Sequence, residues 1–401
     1  MTLPLIIYRS LRQHALSTVV TAASIALAVG LLMCVWMVKV QSQAVFSSTT
    51  GGFDAVLGAR GSKLQLVLNA IFHLEASPGN LEWADYQAIK RHPAVKAAIP
   101  IAVGDNLRGY RIVGTAPELF AEVSYAPGRR YELEPGGHFF GLGKMEAVVG
   151  SFAAERLHLK VGDTFHPFHG LVFDPSNQHA EIYTVTGILE PTNTPADRVV
   201  WIPLEGVQTM SGHDPKAATE ISAVLVRLRT PTAGFILDLM YNKQGNRLTF
   251  AYPVGAIIAD LFSRISWFDR VLTLVAYLVA LVAAGSVLAS IYNSMSARRR
   301  DLAILRSLGA RRRTIFGSVV AEAACIGALG AVAGLAVYFV LLTFVAGVIR
   351  EQTGVVLAVG AWHPVLVVCP LAMIGLCALG GIVPAFKAFR TPVAETLAPI
   401  S

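Results

Sequence analysis

NSMSARRRDLAILRSLGARRRT, residues 293–314, lies between two long apolar runs. Seven arginines (Arg298, Arg299, Arg300, Arg306, Arg311, Arg312 and Arg313) stand against one acid, Asp301. Between the arginine clusters Leu302, Ile304, Leu305 and Leu308 fall at helical spacing. Gly309 then relieves the last turn without a Cβ penalty. The stretch predicts a short amphipathic helix with a leucine stripe, bounded by cations and joined directly to membrane spans. Arginines alone would suffice to fix topology. The stripe and the defined stop predict more, a docking surface made by Arg298, Arg299, Arg300, Asp301, Leu305, Arg306, Leu308, Gly309 and Arg311.

The rest of the composition agrees with a membrane setting. The chain has 401 residues, 54% hydrophobic and only 15% charged, where soluble proteins run near a quarter charged. That length accommodates a folded domain of about 200 residues beside a few spans. Residues 42–262 carry 18 Lys+Arg against 21 Asp+Glu, leaving 15 basic and 5 acidic residues elsewhere. Basic charge therefore belongs to membrane flanks, which fits lipid headgroups and argues against nucleic acid as a partner. All four cysteines (Cys34, Cys325, Cys369, Cys377) lie in apolar segments. No disulfide staples the central region, so it relies on its own core.

Residues 1–15 read as an amphipathic helix on the cytoplasmic face, with Arg9 and Arg12 among Leu3, Leu5, Ile6, Ile7 and Leu11. The following run is too long for a signal-peptide h-region and predicts an uncleaved first span over 16–41. Further spans are predicted over 268–292, 315–349 and 363–384, with a cytoplasmic tail over 385–401. Arg9, Arg12, the loop arginines, Lys387 and Arg390 then share one side, against Lys39, Arg264, Arg270 and Arg350 on the other. This asymmetry places the termini and loop 293–314 in the cytoplasm and 42–262 outside. Trp36, Trp267 and Trp362 fall at the outer ends, as an interfacial belt would.

In the outer region apolar runs are short and alternate with turn signals. Residues 81–91 predict a helix ended by His92-Pro93. Strands are predicted over 95–103 and 108–113, closed by Gly104 and Gly114, and over 146–150, 181–189, 198–202 and 221–228. Helices are predicted over 151–159 and 233–241. The mixture argues for an α+β domain.

The segment ARRRDLAILRSLGA resembles the ERRxExGxLRAxGA signature of FtsX-like permeases, the mechanotransmitting ABC transporters that include MacB and the LolC/LolE lipoprotein-release permeases. Ala297, Asp301 and Ala303 depart from that signature without changing the sign of the surface or the leucine spacing. EAVVGSFAAERLHLKVGDTF, YTVTGILEPTNTPADRVVWIPLEGV and PAFKAFRTPVAETL are similar to further segments of the same family. The resemblance implies an α-helical membrane protein with four transmembrane helices and an α+β periplasmic MacB-like core domain. That domain would divide into a porter-like part (53–113 and 220–262) and a mostly β, sabre-like insertion (114–219). It also implies an inner-membrane permease subunit whose loop 293–314 is the coupling helix. Its partners would be a cytoplasmic ABC ATPase dimer, which binds ATP and Mg, and a second copy or a related permease. A periplasmic adaptor or lipoprotein is a further implied partner. The second reading is an FtsX-like signalling scaffold that regulates a periplasmic partner.

Enzyme signatures are missing from the sequence. No GxxxxGK[ST] cradles a phosphate, so no ATP or other cofactor is expected in this chain, and no GxSxG, HExxH or CxxC occurs. Eight of the ten histidines lie in the outer domain, and His166, His169 and His179 cluster near Asp174 and Glu181. Such a set has metal-ligand chemistry. Pro167, however, prevents a helix from presenting His166 and His169 on one face, so ordinary loop histidines without a metal are expected. Glu322 is an ionisable residue inside a span, hence a functional candidate. It lies about 12 Å along the helix from Thr314, within reach of the inner interface or a loop arginine. Gly330 and Gly334 form a GxxxG, and Ala22, Ala26 and Gly30 a small-residue ladder; both permit close helix packing.

Overall fold

Strands buried on both faces organise the outer domain. A computed structural model describes residues 3–48, 50–213, 215–297 and 311–390. These residues divide into a helical unit (Met1–Gln41, Ser266–Gly347, Ala358–Ser401) and a domain unit (Ser42–Ile265, Val348–Leu357). The domain holds one ten-stranded sheet. Its strands are β1 (Ala55–Ala59), β2 (Val95–Leu107), β3 (Tyr110–Thr115), β4 (Glu146–Val149), β5 (Thr164–Phe165), β6 (Phe168–His169), β7 (Tyr183–Ile188), β8 (Val200–Pro203), β9 (Ala223–Leu228) and β10 (Leu248–Ala251). They lie in the order β10-β1-β9-β2-β3-β8-β4-β7-β5, with β6 paired to β2 off that path.

Both faces of the sheet are buried. Leu57, Ala102, Ile112, Val200 and Phe250 point into one core; Val56, Ile101, Val113, Trp201 and Ala251 point into the other. A strand covered on both faces reads as a continuous apolar run, as EAVV in β4 and AVLVRL in β9 do. Each fully buried Val, Leu or Ile contributes about 1.5–3 kcal/mol. These two cores do the work that disulfides would otherwise do, since all four cysteines are free and belong to the helical unit.

One sequence expectation changes here. β2 does not stop at Gly104. Val103 opposes Val113 and Asp105 opposes Ile112, so Gly104 is the extra residue of a bulge and the strand continues to Leu107. One sheet runs through both expected parts of the domain. β3 and β8 pair in parallel, Ile112 opposite Val200, and carry one sheet from the 53–113 and 220–262 pieces into 114–219. The 114–219 piece also contributes helices at Glu118–Glu122, Ser151–Leu157 and Leu204–Gln208. Finally, residues 348–357 belong to the domain unit. Arg350 pairs with Glu155 at 2.7 Å, Glu351 with Arg156, and the Val356 N–H donates to Asn193 at 2.6 Å.

One half-buried histidine of this domain makes its stability pH-dependent. His73 packs edge-on against Trp201 with ring centroids 5.5 Å apart. Burial, reinforced by the nearby Arg111 charge, lowers its pKa from 6.5 to about 3. Because the unfolded chain binds the proton more readily, stability is full above about pH 6.5 and falls as pH drops toward the folded value. The slope approaches about 1.4 kcal/mol per pH unit in that window. Replacing His73 with Leu is expected to flatten the melting temperature of the full-length protein between pH 6.5 and pH 4. An unchanged acid slope in the variant would remove His73 as the cause.

The helical unit is built from α1 (Leu3–Gln13), α2 (Ala15–Ser48), α3 (Val254–Ala297), α4 (Arg312–Thr353), α5 (Val365–Gly380) and α6 (Ile382–Arg390). Three helices are long and apolar enough to cross a bilayer: Ala15–Val45, Arg313–Thr353 and Val365–Phe386. The expected second span corresponds to a shorter apolar stretch, Arg270–Ser286, inside α3. Among the described residues, therefore, three spans rather than four meet the length and composition of a crossing helix. Small residues bring α2 and α4 together. A Cβ on Gly30 would lie 2.6 Å from Val337, and one on Gly330 would lie 2.6 Å from Ile25. Ile25, Val29, Met33, Ala323, Ile326, Tyr338 and Cys377 fill the core of this unit.

Candidate functional site

The Gly104 bulge aims Asp105 at three imidazoles. Asp105 is fully buried, and its Oδ1 lies 3.1 Å from His179 Nε2, 3.1 Å from His213 Nε2 and 3.5 Å from His169 Nδ1. The ligand atoms of all four residues fall within 4.8 Å of one another. The three rings stand edge to face, with centroids 5.0, 5.2 and 5.4 Å apart. Asp105 Oδ2 is buried and has no hydrogen-bond partner among the described residues.

Local structure explains the convergence. β6 pairs with β2 so that His169 sits opposite Asp105. The loop after β6 is held by Asn106, whose amide donates to the Gly170 carbonyl at 2.8 Å. His179 Nδ1 lies 2.7 Å from the Ser211 carbonyl, and His213 Nδ1 lies 2.9 Å from the Val207 carbonyl. Carbonyls only accept, so each ring spends its single neutral-state proton there. Glu181 in turn accepts from the Ser211 N–H at 2.8 Å and holds that carbonyl in place. The Asp105 carboxylate beside His213 raises the pKa of that imidazole, through the hydrogen bond first and its charge second. A cleft of about 250 Å³, lined by Asn80, Gly104, His169, His213 and Glu220, opens onto the cluster.

The histidine trio of the sequence is thus rearranged. His169 and His179 converge, but His166 stands outside, with its Nδ1 3.2 Å from the His179 carbonyl. Asp105 and His213 take part instead, and the neighbouring acids do not: Asp174 holds Ser176 at 2.7 Å. The signal for Asp105 was an acid inside an apolar strand directly after a glycine. His213 carried no local signal, being 108 residues from Asp105.

Arg298, Arg299, Arg300, Asp301, Leu305, Arg306, Leu308 and Gly309 lie outside the described residues, whereas Arg311 is described and exposed. Glu322, half-buried on α4, accepts a hydrogen bond from the buried Ser10 hydroxyl of α1. Gly330 and Gly334 both face α2, against Ile25 and Val29.

The fold and these helices define a class, a membrane protein with one large α+β domain outside its helical unit. Two family models match the chain: the MacB-like periplasmic core domain over residues 18–233 and the FtsX-like permease C-terminal domain over residues 273–393. The chain belongs to the FtsX/MacB-type ABC transporter permeases. Among solved structures it is similar to the periplasmic region of MacB from Actinobacillus actinomycetemcomitans, at 10% identity and a TM-score of 0.35, covering 53% of this chain and 94% of that one. It is also similar to the extracellular domain of the noncanonic ABC-type transporter YknZ from Gram-positive bacteria, at 15% identity and a TM-score of 0.31, covering 49% of this chain and 97% of that one. No curated protein sequence matches it.

Proposed function

We propose that this chain is the permease subunit of an inner-membrane ABC transporter that moves or extracts a substrate on the periplasmic side. The observation that carries the reading is the order of its parts. A MacB-like periplasmic core domain and an FtsX-like permease C-terminal domain occupy one chain, and the arginine-rich stretch 298–313 lies within the second. ATP and Mg bind to a separate cytoplasmic ATPase dimer, because this chain has no phosphate-cradling loop. Two copies, or one copy and a related permease, flank that dimer. Four spans cross the membrane, α3 supplying the second, with both termini and loop 293–314 in the cytoplasm. ATPase closure pushes on the 298–313 helix, and long helices carry the motion outward. At 1.5 Å per residue, α2 measures about 51 Å and α4 about 63 Å, against about 30 Å of hydrocarbon.

Topology supplies the first test. Single cysteines at Ser176 and Ser307, in a background lacking the four native ones, are expected to label oppositely in cells. A membrane-impermeant maleimide admitted to the periplasm should modify position 176 and leave position 307 unlabelled. Labelling at 307 from outside would overturn the arrangement. For function, reconstituted permease is expected to co-purify with an ABC ATPase and to stimulate its ATP hydrolysis. Association with a periplasmic hydrolase whose activity it gates, without transport, would favour the signalling scaffold instead.

A further inference from the structure

Electrostatics around Asp105 demand a cation. His179 and His213 each direct their Nδ1 at a main-chain carbonyl, at 2.7 and 2.9 Å. In the neutral tautomer that fixes, Nε2 is a bare lone pair. Both Nε2 atoms nevertheless face the same carboxylate oxygen at 3.1 Å. Lone pairs opposed at that distance repel, and Asp105 is fully buried, so water does not relieve them. Either protons or a metal ion must lie between these atoms. Protons account poorly for the third ring, His169, whose Nδ1 also approaches Oδ1 at 3.5 Å, or for the orphaned Oδ2.

The carboxylate-to-imidazole spacing suits a metal, and the farthest ligand atoms, 4.8 Å apart, draw in when one ion binds. Ligands about 2.0–2.1 Å from a tetrahedral zinc lie about 3.3 Å from one another, and the three carboxylate-to-imidazole separations are 3.1, 3.1 and 3.5 Å. Three nitrogens and one oxygen suit Zn²⁺ and related first-row ions, whereas Ca²⁺ and Mg²⁺ take oxygen donors. Carbonyls behind the imidazoles of His179 and His213 are the outer partners that metal-bound histidines use to set their tautomer.

We propose that Asp105, His169, His179 and His213 form a zinc site that clasps the 166–179 and 209–213 loops onto β2. Four protein ligands close the coordination sphere, so the site binds rather than catalyses. The His169 side chain is 54% exposed and faces the 250 Å³ cleft; it is the ligand through which the ion enters and leaves. In a domain without disulfides the ion is a removable staple, which makes the order of these loops depend on zinc supply. This inference is independent of the transport reading.

The test uses full-length permease in detergent, carrying no polyhistidine tag. After chelation and desalting, zinc chloride titrated against a chromophoric chelator is expected to bind at one ion per chain. Binding should raise the melting temperature by about 5 °C or more at a hundredfold excess over Kd. X-ray absorption at the zinc edge should show imidazole nitrogens and one light oxygen. Asp105→Asn and His213→Ala should weaken zinc more than about 100-fold, since even outer-shell partners account for 10–100-fold. Because His169 is largely exposed, His169→Ala keeps the fold and isolates the ligand role; it should also weaken zinc more than about 10-fold. His138→Ala, an exposed histidine outside the cluster, should bind as the parent does, and Ca²⁺ should not compete. Zinc affinity unchanged by both His169→Ala and Asp105→Asn, or no binding at micromolar zinc, would overturn the proposal while leaving the ATPase association untouched.

Discussion

Leu305→Asp and Leu308→Asp are each expected to abolish co-purification of the ATPase with the permease and its stimulation of ATP hydrolysis. Both leucines lie on the stripe between the arginine clusters. In the proposed coupling helix they fill an apolar groove, where an aspartate introduces an unpaired carboxylate. Burying that charge costs several kcal/mol unless it relaxes toward water, and about 1.4 kcal/mol is already tenfold in affinity. Arg306→Glu acts at the charged rim instead. Its loss of binding should be smaller and should shrink as salt rises. None of these changes touches a span or the outer domain, so membrane insertion should be normal. If both leucine variants insert normally and still bind and stimulate the ATPase, the loop is only a topology signal, and the transporter reading loses its main sequence support.

The second large effect is expected at the glycines of α4. Gly330→Leu and Gly334→Leu should each destabilise the helical unit, Gly330→Leu more severely. A Cβ at Gly330 would meet Ile25 at 2.6 Å and the Ala22 carbonyl at 3.0 Å; at Gly334 it would meet Val29 at 2.9 Å and the Ala26 carbonyl at 3.2 Å. Overpacking a core by a few methylenes costs about 1–3 kcal/mol. Here the obstruction includes backbone, which does not rotate away, so the helices must separate. Close approach of small residues is also the main source of association between helices in lipid. Gly347→Leu on the same helix is the control, because nothing lies within 4 Å of its Cβ. Thermal aggregation of the detergent-solubilised protein, followed by size-exclusion chromatography, should show early loss for Gly330→Leu and near-parental behaviour for Gly347→Leu. Equal behaviour of all three would mean that α2 and α4 do not rely on this contact.

Much of the architecture was legible because its causes are local. Apolar runs of 16–41, 315–349 and 363–384 predict helices that the structure contains, since hydrophobic length is a property of consecutive residues. Gly330, Gly334, Ala22, Ala26 and Gly30 announce close packing by size alone; that they meet one another within the chain is a tertiary fact. Predicted strands at 146–150, 181–189 and 221–228 appear as β4, β7 and β9 with ends shifted by one or two residues. At Gly104 the local signal misled, because a glycine ends a strand and makes a bulge with the same lack of a side chain. Only pairing with β3 distinguishes the two.

The candidate site lay beyond local reading for the same kind of reason. His166 and His169 are near neighbours in sequence, yet β6 turns His169 alone toward Asp105. His213 and Asp105 come together only because Ser211, Glu181 and the Val207 carbonyl position the 209–213 loop over the bulge. Sequence by itself determined three long apolar helices, which family the chain belongs to and how its charge is distributed, since hydropathy and motif order reside in consecutive residues. Tertiary structure alone decided that one acid and three histidines, spread from 105 to 213, converge within 4.8 Å, because that convergence follows from strand register and loop hydrogen bonds between distant segments.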